Sequence, residues 1–190
     1  MIEIIKNQAI LDNVPIMSDE TIEVICNQIE IHHYRDILEL GTAIGYSSLM
    51  IAKQCPWVKI DTIEKDPQRH EAALKNKTML DDDQITMILH DAKTWPITKF
   101  YDLVIIDAAK AQNKALFERV FPFVKDRGMV IVDNMDFHGH VLNIPKVKNR
   151  RNLRQMVEKI AAFKVWIASQ EHLVSKMIDV GDGLMIIQRK

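Results

Sequence analysis

The sequence has little of what marks several large classes of protein. Its two cysteines, Cys26 and Cys55, are isolated rather than set at metal-ligand spacing, and Cys26 falls on an apolar helical stripe typical of a reduced core thiol. The longest apolar runs are only a few residues, too short to span a bilayer. The start of the chain carries Glu3 and Asp12 and no small-residue cleavage signal, unlike a secretory peptide. These absences predict a cytoplasmic protein without a membrane partner.

The chain also lacks the Gly-x-Gly-x-x-Gly motif of a dinucleotide site. The stretch 37–48, ILELGTAIGYSS, instead has the spacing Glu-x-Gly-x-x-x-Gly between an apolar strand and the start of a helix. Two glycines, Gly41 and Gly45, free the backbone, and Glu39 places a negative charge beside the turn. A turn of this kind suits a cofactor that carries positive charge and no phosphate. S-adenosylmethionine, with its sulfonium and α-ammonium groups, is such a cofactor, although a plain strand-turn-helix corner would read the same way.

What the chain does have is an alternation of strand and helix patterns. A helical stripe with Ser18 as its N-cap precedes the first strand, and a stripe from Leu153 to Ala161 marks a long helix after the fifth strand. The predicted strands are 37–40, 58–64, 85–92, 101–108 and 128–134, the predicted helices between them are 46–54, 67–80 and 115–125, and a terminal hairpin pairs 175–180 with 184–190 around Gly-Asp-Gly.

This order predicts a Rossmann-like, doubly wound α/β fold. The sheet is expected to be mostly parallel and seven-stranded, with an antiparallel C-terminal strand and helices on both faces. A length of 190 residues suits one core, so we expect a single domain over 1–190 with an N-terminal helical cap segment over 1–35. In such sheets ligands bind at the carboxyl ends of the strands, and functional residues are expected there.

The second and third strands end in acids that could hold a nucleoside. Glu64 ends the second strand roughly 25 residues after Glu39 in the first, near the ~20-residue spacing at which an acid meets a ribose diol. Asp91 could accept a hydrogen bond from an adenine amino group, and Ala92 leaves room for the ring. Each acid could equally be a solvated loop residue.

The fourth and fifth strands end in oxygen-bearing side chains. Asp107 closes one strand, with Lys110 three residues later, and Asp133 and Asn134 close the next. Carboxylate and amide oxygens suit a hard cation such as Mg²⁺. Singly these residues could merely cap turns. Their convergence on neighbouring strands predicts a cation site beside the cofactor.

Several segments together resemble a known family. ILELGTAIGYSS, IDTIEKD, DLVIIDAAKAQ, GMVIVDN and VGDGLMII are similar to the metal-dependent, S-adenosylmethionine-dependent class I O-methyltransferases of the catechol and caffeoyl-CoA type. VPIM at 14–17, with IIDAAKAQ and GDGL, resembles most closely the bacterial branch that methylates 5-hydroxyuridine in tRNA. The resemblance runs from about Val14 to the C-terminus.

Carried over by position, the resemblance implies a role for each matching residue. Met17, Glu39, Gly41, Thr42 and Ser47 are expected to line the methionine part of S-adenosylmethionine, Glu64 to bind the ribose and Asp91 with Ala92 to lie by the adenine. Asp107, Asp133 and Asn134 are expected to hold Mg²⁺, with Lys110 and Asp107 at the reacting hydroxyl, and Asp107 is expected to contact the cofactor as well. Lys110 would act as a base or as a fixed cation.

The sequence departs from the family in two places. The family carries a longer helical segment ahead of VPIM, often part of the substrate lid or dimer contact, whereas thirteen residues precede Val14 here. A homodimer is nevertheless the expected assembly. The loop after the fifth strand contains His138 and His140, which match no family role and are expected to be loop surface or substrate contacts.

A basic stripe follows that loop. Its five cations lie in PKVKNRRNLR, and no acid interrupts 137–157. The members of this stripe are Lys146, Lys148, Arg150, Arg151 and Arg154. Cations at a helix start oppose the helix dipole, so a functional reason is favoured over a solvated face. The stripe could hold the phosphates of a tRNA stem-loop.

These observations predict a Mg²⁺-dependent enzyme that methylates a hydroxyl, with 5-hydroxyuridine in tRNA as the expected substrate. A catechol-like small molecule is an alternative with the same chemistry. A non-catalytic S-adenosylmethionine-binding module and a nicotinamide oxidoreductase are alternatives of other classes. The missing dinucleotide motif counts against the oxidoreductase.

Overall fold

The computed structural model describes residues 2–80, 83–136 and 151–190, with side chains in the last range from Leu153 onward. Within these ranges it contains six α-helices and seven strands. The helices are α1 (Ile2–Leu11), α2 (Asp19–His32), α3 (Tyr46–Gln54), α4 (Pro67–Leu80), α5 (Asn113–Val120) and α6 (Arg151–Ala168). The strands are β1 (Asp36–Leu40), β2 (Lys59–Glu64), β3 (Ile85–Leu89), β4 (Tyr101–Ile106), β5 (Val124–Val132), β6 (Leu173–Ile178) and β7 (Leu184–Arg189).

The strands form one sheet in the order β3-β2-β1-β4-β5-β7-β6. The first five strands pair in parallel, while β7 runs antiparallel to both β5 and β6. The seven-stranded, doubly wound fold predicted from the sequence is therefore confirmed. Because the strand order reverses between β1 and β4, a crevice opens at their carboxyl ends, where such sheets bind ligands.

Two apolar cores lie on opposite faces of the sheet. Residues of α1, α2 and α3 pack on one face against Ile37, Ile60 and Ile105. Residues of α5 and α6 pack on the other face against Leu38 and Val104. Adjacent residues of one strand thus enter different cores, as the two-residue period of a strand requires. Because apolar burial holds both faces, the strand ends are fixed relative to one another.

Two helix starts carry side-chain caps, of which the Ser18 cap is predicted from the sequence. The hydroxyl of Ser18 accepts a hydrogen bond from the amide of Thr21 at 3.2 Å. At α4, Asp66 Oδ1 accepts hydrogen bonds from the amides of Gln68 at 2.9 Å and Arg69 at 3.2 Å, and Pro67 takes the first helical position. The cap of α4 turns the chain sharply after β2, which brings the first turn of this helix to the crevice.

The predicted helix over 115–125 is wrong at its C-terminal end. The α-helix stops at Val120, and Phe121–Phe123 form a single 3₁₀ turn that contains Pro122. Proline lacks the amide hydrogen that continues a helix. Val124 then pairs with Tyr101, so β5 begins four residues before the predicted strand. The third strand is also shorter than predicted and ends at Leu89.

Across the described ranges, none of the helices combines the length and the apolar character needed to cross a membrane.

Candidate active site

A cavity of about 500 Å³ opens over the carboxyl ends of the parallel strands. Its wall includes Gly41 after β1, Glu64 at the end of β2, Asp91 after β3, Asp107 after β4 and Asp133 after β5. Parallel strands end at one edge of a sheet, so residues far apart in sequence meet here. The structure therefore brings together one predicted residue from every parallel strand.

Gly41 sets the floor of the cavity. Its φ of +111° lies in a region that side chains rarely adopt, and a Cβ at this position would lie 2.2 Å from the carbonyl oxygen of Asp107. Only glycine lets the turn after β1 approach the end of β4 so closely. The Gly41 amide also donates to the carbonyl of Ile63 at 2.9 Å, which ties the turn to β2. The two ends of the site, on β2 and on β4, are thereby fixed to each other.

Glu64 is held by backbone amides. Its Oε2 accepts from Ala43 N at 2.9 Å, and its Oε1 accepts from Lys65 N and Asp66 N, each at 2.9 Å. The residue is only 8% exposed, yet it lines the cavity. A carboxylate offers about four acceptor positions, so three amides leave capacity for a ligand hydroxyl. The amides fix the orientation in which that capacity faces the cavity.

Three predicted cofactor contacts lie behind the cavity wall. Glu39 is buried on the α3 face of β1, where it accepts hydrogen bonds from the hydroxyls of Ser47 and Ser48 and, at 2.6 Å, of Thr62. Thr42 shares a 2.7 Å hydrogen bond with Thr62.

Side-chain direction along β1 explains this placement. Leu38 and Leu40 face the α5–α6 core, so Glu39 between them faces the opposite layer. Complete burial raises the pKa of Glu39 above its usual range, and the hydroxyl hydrogen bonds oppose that rise. Glu39 thus binds the hydroxyls at the start of α3. Glu39, Thr42 and Ser47 are not among the residues that line the cavity. Met17, by contrast, lines it.

Asp91 and Ala92 form the outer wall. Asp91 Oδ1 accepts from the amide of Lys93 at 2.9 Å, and the Asp91 carbonyl accepts from Trp95 N at 2.9 Å. The Ala92 carbonyl accepts from the Arg119 guanidinium at 3.2 Å. These bonds order a loop that has no regular secondary structure, so both predicted residues are presented on the cavity surface.

Asp107 and Lys110 form an ion pair at the inner end of the cavity. Lys110 Nζ donates to Asp107 Oδ1 at 2.6 Å, and both side chains are mostly buried. Lys110 begins a 3₁₀ turn, Lys110–Gln112, that leads into α5. The turn folds the lysine back over the end of β4 and places its ammonium group at the cavity.

Asp133 and Asn134 lie beside that ion pair. Asp133 Oδ1 accepts from the Asn134 amide at 2.7 Å, and Asp133 Oδ2 accepts from Asn134 Nδ2 at 2.6 Å. This arrangement turns the amide oxygen of Asn134 away from the carboxylate. Burial raises the pKa of Asp133 to about 6, the negative charge of Asp107 adds to the rise, and Lys110 opposes it.

The oxygen atoms at this end fit a hard cation. Two carboxylates close enough to raise a pKa by repulsion, with one amide oxygen, are donors that Mg²⁺ accepts alongside water. In the described ranges no cluster of three or more His, Cys, Asp or Glu is placed to hold a metal ion.

The cavity also has walls that sequence patterns did not identify. Pro15 and Ile16 approach from the segment before α2, Arg69 from the capped start of α4, and Leu116 and Met156 from α5 and α6. Met156 lies on the apolar stripe of α6, and nothing in that pattern separates a cavity residue from a core residue. The sequence does contain a signal for Arg69, because this residue follows the Asp66 cap at the start of α4, next to the end of β2.

Most of the predicted basic stripe lies outside the described residues. This holds for Lys146, Lys148, Arg150 and the side chain of Arg151, and for the two histidines His138 and His140. Arg154 is described on α6, where its Nε donates to Glu158 Oε1 at 2.7 Å across one helical turn. Both side chains of that pair are about half exposed.

Comparisons with known proteins give matches to both the sequence and the fold. The model of a family described as O-methyltransferase matches residues 5–190. A solved structure from Staphylococcus aureus, assigned as a caffeoyl-CoA O-methyltransferase, matches 100% of this chain and 92% of its own with a TM-score of 0.93 and 35% identity. A caffeoyl-CoA O-methyltransferase from Populus kitakamiensis is 25% identical over 161 residues, which is 80% of this chain and 68% of that protein.

A third similarity concerns the fold alone. The O-methyltransferase of Bacillus cereus, solved in complex with SAH, has a TM-score of 0.83 at 22% identity. The match covers 100% of this chain and 90% of that one.

Proposed function

The chain belongs to the O-methyltransferase family, and from this premise we propose which acceptor it methylates and how. It is an S-adenosylmethionine-dependent O-methyltransferase. The proposed acceptor is the 5-hydroxyl of 5-hydroxyuridine in tRNA, which would become 5-methoxyuridine. A divalent cation, Mg²⁺ or a similar hard ion, is proposed to take part.

The observation that carries this proposal is the division of one cavity into two chemically different ends. Glu64 and Asp91 supply hydrogen-bond acceptors at one end, and the two pairs Asp107–Lys110 and Asp133–Asn134 supply charge at the other. A nucleoside-bearing methyl donor needs acceptors for its ribose and adenine, and a hydroxyl acceptor needs charge stabilisation. The same cavity meets both needs.

At the cofactor end, the chain fixes the donor before reaction. Glu64 would accept hydrogen bonds from ribose hydroxyls, because its carboxylate is already oriented by three backbone amides. Pro15, Ile16 and Met17 would cover the donor from the α2 side and exclude water. Alignment of two reactants can lower a barrier by roughly 7–11 kcal/mol in favourable cases, so this placement is the larger share of the catalysis.

At the acceptor end, Asp107, Asp133 and Asn134 would hold the cation. When bound, a divalent cation would lower the pKa of a substrate hydroxyl and so supply a better nucleophile at neutral pH. The cation would add a positive partner for both carboxylates. Asn134 would keep Asp133 in place through its two hydrogen bonds.

Lys110 would act on the proton and the charge at the substrate oxygen. Its Nζ is held at the cavity by the 2.6 Å hydrogen bond to Asp107. As an ammonium in that position it could donate a hydrogen bond to the oxygen as negative charge develops, and only as a neutral amine could it take the released proton. General acid–base help of this kind contributes about 10²–10⁴-fold. The substrate oxygen forms its bond to the methyl carbon as the carbon–sulfur bond breaks.

Two features support a tRNA acceptor. In 5-hydroxyuridine the 5-hydroxyl lies next to a carbonyl oxygen, so the base offers two neighbouring oxygens to the charged end of the cavity. Lys65 and Arg69 add cationic side chains to the cavity wall, and the basic stripe follows β5 in the sequence and runs into the start of α6. Cations near the site are what a polyanionic substrate needs.

A small phenolic acceptor is the second candidate. The names of the Populus protein and the Staphylococcus structure both give caffeoyl-CoA, a small molecule, as the acceptor. A catechol-like ring also carries two adjacent oxygens, so the charged end of the cavity would suit it equally. A non-catalytic S-adenosylmethionine-binding protein is the alternative of another class.

One experiment separates these candidates. Purified protein, methyl-labelled S-adenosylmethionine and Mg²⁺ are incubated with tRNA that contains 5-hydroxyuridine and, in parallel, with catechol and caffeoyl-CoA. We expect labelled 5-methoxyuridine by mass spectrometry, and loss of the product in excess EDTA. Product only from a phenol would support the second candidate, and no product from any acceptor would support the binding protein.

A variant pair tests the proposed residues in the same assay. Asp133→Ala should abolish turnover while S-adenosylmethionine still binds by calorimetry. Asp126→Asn, on the same strand but exposed and near its other end, should retain activity. Full activity of Asp133→Ala, or full activity in excess EDTA, would contradict the cation role.

A further inference from the structure

The Gly-Asp-Gly turn between β6 and β7 is hydrogen-bonded to the segment that contains Asn134. The Met135 amide donates to the carbonyl of Gly183 at 2.8 Å, and the Asp136 amide donates to the carbonyl of Asp182 at 2.7 Å. Two consecutive residues of the segment after β5 are therefore bonded to two consecutive residues of the turn. The ladder between β5 and β7, which pairs Val132 with Met185, is continued beyond the strands by these two bonds.

Gly183 allows this approach. Its φ is +85°, and a Cβ at this position would lie 2.7 Å from the backbone nitrogen of Asp136 and 2.8 Å from its Cβ. Real Cβ atoms do not approach that closely, so any side chain at 183 would push the 134–136 segment away. The nearest atoms are the backbone nitrogen, Cα and Cβ of Asp136, none of which is the far end of a flexible side chain that could yield.

The segment needs to be held, because Asn134 has an unusual backbone. Its φ of +59° is left-handed, and a non-glycine residue persists there only where its surroundings fix it. The side chain of Met135 is fully buried, with its sulfur 3.6 Å from Asn113 Nδ2 at the start of α5. Backbone bonds from the turn and side-chain packing against α5 thus hold the residue that follows Asn134.

We propose that Asp182 and Gly183 are positioning residues for the cation site. They set where the amide oxygen of Asn134 lies relative to Asp107, although they touch neither the cation nor the substrate. The inference rests on the cation site of the proposed function and extends it to a turn distant in sequence. It also gives the GDGL motif a role beyond that of a hairpin turn.

The same turn offers a matched control in Gly181. Its φ is also positive, at +54°, but a Cβ there would meet the side-chain oxygens of Thr21 at 2.6 Å and Ser18 at 3.2 Å. Alanine at 181 therefore strains the same turn without pressing on Asp136. A difference between the two alanine variants isolates the contact with the 134–136 segment from general damage to the hairpin.

The experiment measures cation binding without catalysis. Mn²⁺ is titrated into wild type, Gly183→Ala and Gly181→Ala, each saturated with S-adenosylhomocysteine, and free Mn²⁺ is read by electron paramagnetic resonance. We expect the Kd for Mn²⁺ to rise at least tenfold in Gly183→Ala and to stay within threefold in Gly181→Ala. The Kd for S-adenosylhomocysteine should change less than threefold in Gly183→Ala.

The outcomes separate the two ideas. If the wild type binds Mn²⁺ and Gly183→Ala binds it equally well, or both alanine variants lose it equally, the positioning role is wrong while the cation site stands. If the wild type binds no Mn²⁺, the cation site is wrong and the role given to the turn falls with it.

A measurement on the wild type covers the case in which Gly183→Ala does not fold. Hydrogen exchange should show the amides of Met135 and Asp136 protected to a degree similar to the amides of β5. Exchange of both at the rate of an open loop would overturn the inference, because the turn would not be holding the segment.

Discussion

Two sets of two aspartates and one lysine lie at opposite edges of the parallel strands, one among the amino ends of β1, β4 and β5 and the other after the carboxyl ends of β4 and β5. At the amino end, Lys125 Nζ lies 2.8 Å from Asp36 and 3.0 Å from Asp102. At the carboxyl end, Lys110 pairs with Asp107, and Asp133 lies beside them. The first set closes a protein surface, whereas the second lines a cavity.

The pKa values of the aspartates show the difference. Burial acts to raise the pKa of Asp102, but amide hydrogen bonds from Asp36 and Arg35, together with Lys125, outweigh it and leave the pKa lowered. For Asp133, burial and the charge of Asp107 raise the pKa to about 6. The charged form of Asp102 is therefore stabilised by its surroundings, whereas the charged form of Asp133 is destabilised.

The comparison shows how an ion-pair network can be told from a site. In a structural network the protein supplies each charge with its partners, and stability is the result. In a site the protein leaves a charge short of partners, and a ligand completes the set. The fold tolerates a carboxylate with too few partners at one end because apolar cores cover both faces of the sheet.

The largest predicted contrast is in activity. Asp133→Asn should lower methyl transfer by more than about 100-fold, since it removes a charged ligand, while Asp102→Asn should lower it less than about threefold. Both variants are neutral, nearly isosteric amides on the same sheet. Turnover at saturating S-adenosylmethionine and acceptor measures the effect. Equal losses in the two variants would remove the distinction between the ends.

Stability should change in the reverse order. Without added cation at pH 8, Asp102→Asn should lower the free energy of unfolding by about 1–3 kcal/mol, because two amide hydrogen bonds lose a charged acceptor. Asp133→Asn should leave it unchanged or raise it by about 1 kcal/mol, because a buried charge near Asp107 is removed. Urea denaturation gives both values. A strongly destabilised Asp133→Asn protein would indicate that this carboxylate is structural.

The contribution of Asp102 to the free energy of unfolding should decrease as the pH is lowered. A lowered folded-state pKa gives stability that is present above the unfolded value of about 3.9 and is lost as pH falls through the folded value. The difference in unfolding free energy between wild type and Asp102→Asn should be constant from pH 5 to 8, by this reasoning, and shrink below about pH 4. If the difference in unfolding free energy between the two proteins grew on acidification, the pKa of Asp102 would not be lowered in the folded state.

The smallest predicted effect is stabilisation by the cation. At ten times its Kd, Mg²⁺ should raise the unfolding free energy of wild type by about 1.4 kcal/mol through mass action. Asp102→Asn should gain the same amount, and Asp133→Asn almost nothing. Thermal melts with Mg²⁺ and with EDTA provide the comparison. An equal gain in all three proteins would place the cation elsewhere.

The sequence could predict which residues gather at the carboxyl end because strand periodicity and strand order carry that information. Once β1 to β5 are taken as parallel, Glu64, Asp91, Asp107 and Asp133 must meet at one edge, and they do. The predicted bounds of α3 and α4 are also confirmed: α3 begins after Gly45, whose φ is positive, and α4 begins at Pro67 after the Asp66 cap.

Other features depend on contacts that no local pattern carries. The direction of Glu39 follows from which face of β1 meets α3, and the helix predicted over 115–125 ends early because Pro122 and the pairing of Val124 with Tyr101 prevail over helical periodicity. Met156 reaches the cavity only through the packing of α6. The predicted tRNA contacts between 146 and 150 lie outside the described residues, so they stay predictions.

The most direct test of the cation site is anomalous diffraction from crystals grown with Mn²⁺ and S-adenosylhomocysteine. We expect one strong peak within about 2–2.5 Å of oxygen atoms from Asp107, Asp133 and Asn134, next to the sulfur of the bound cofactor product. A peak elsewhere, or a cofactor bound with no peak between the ends of β4 and β5, would contradict the account.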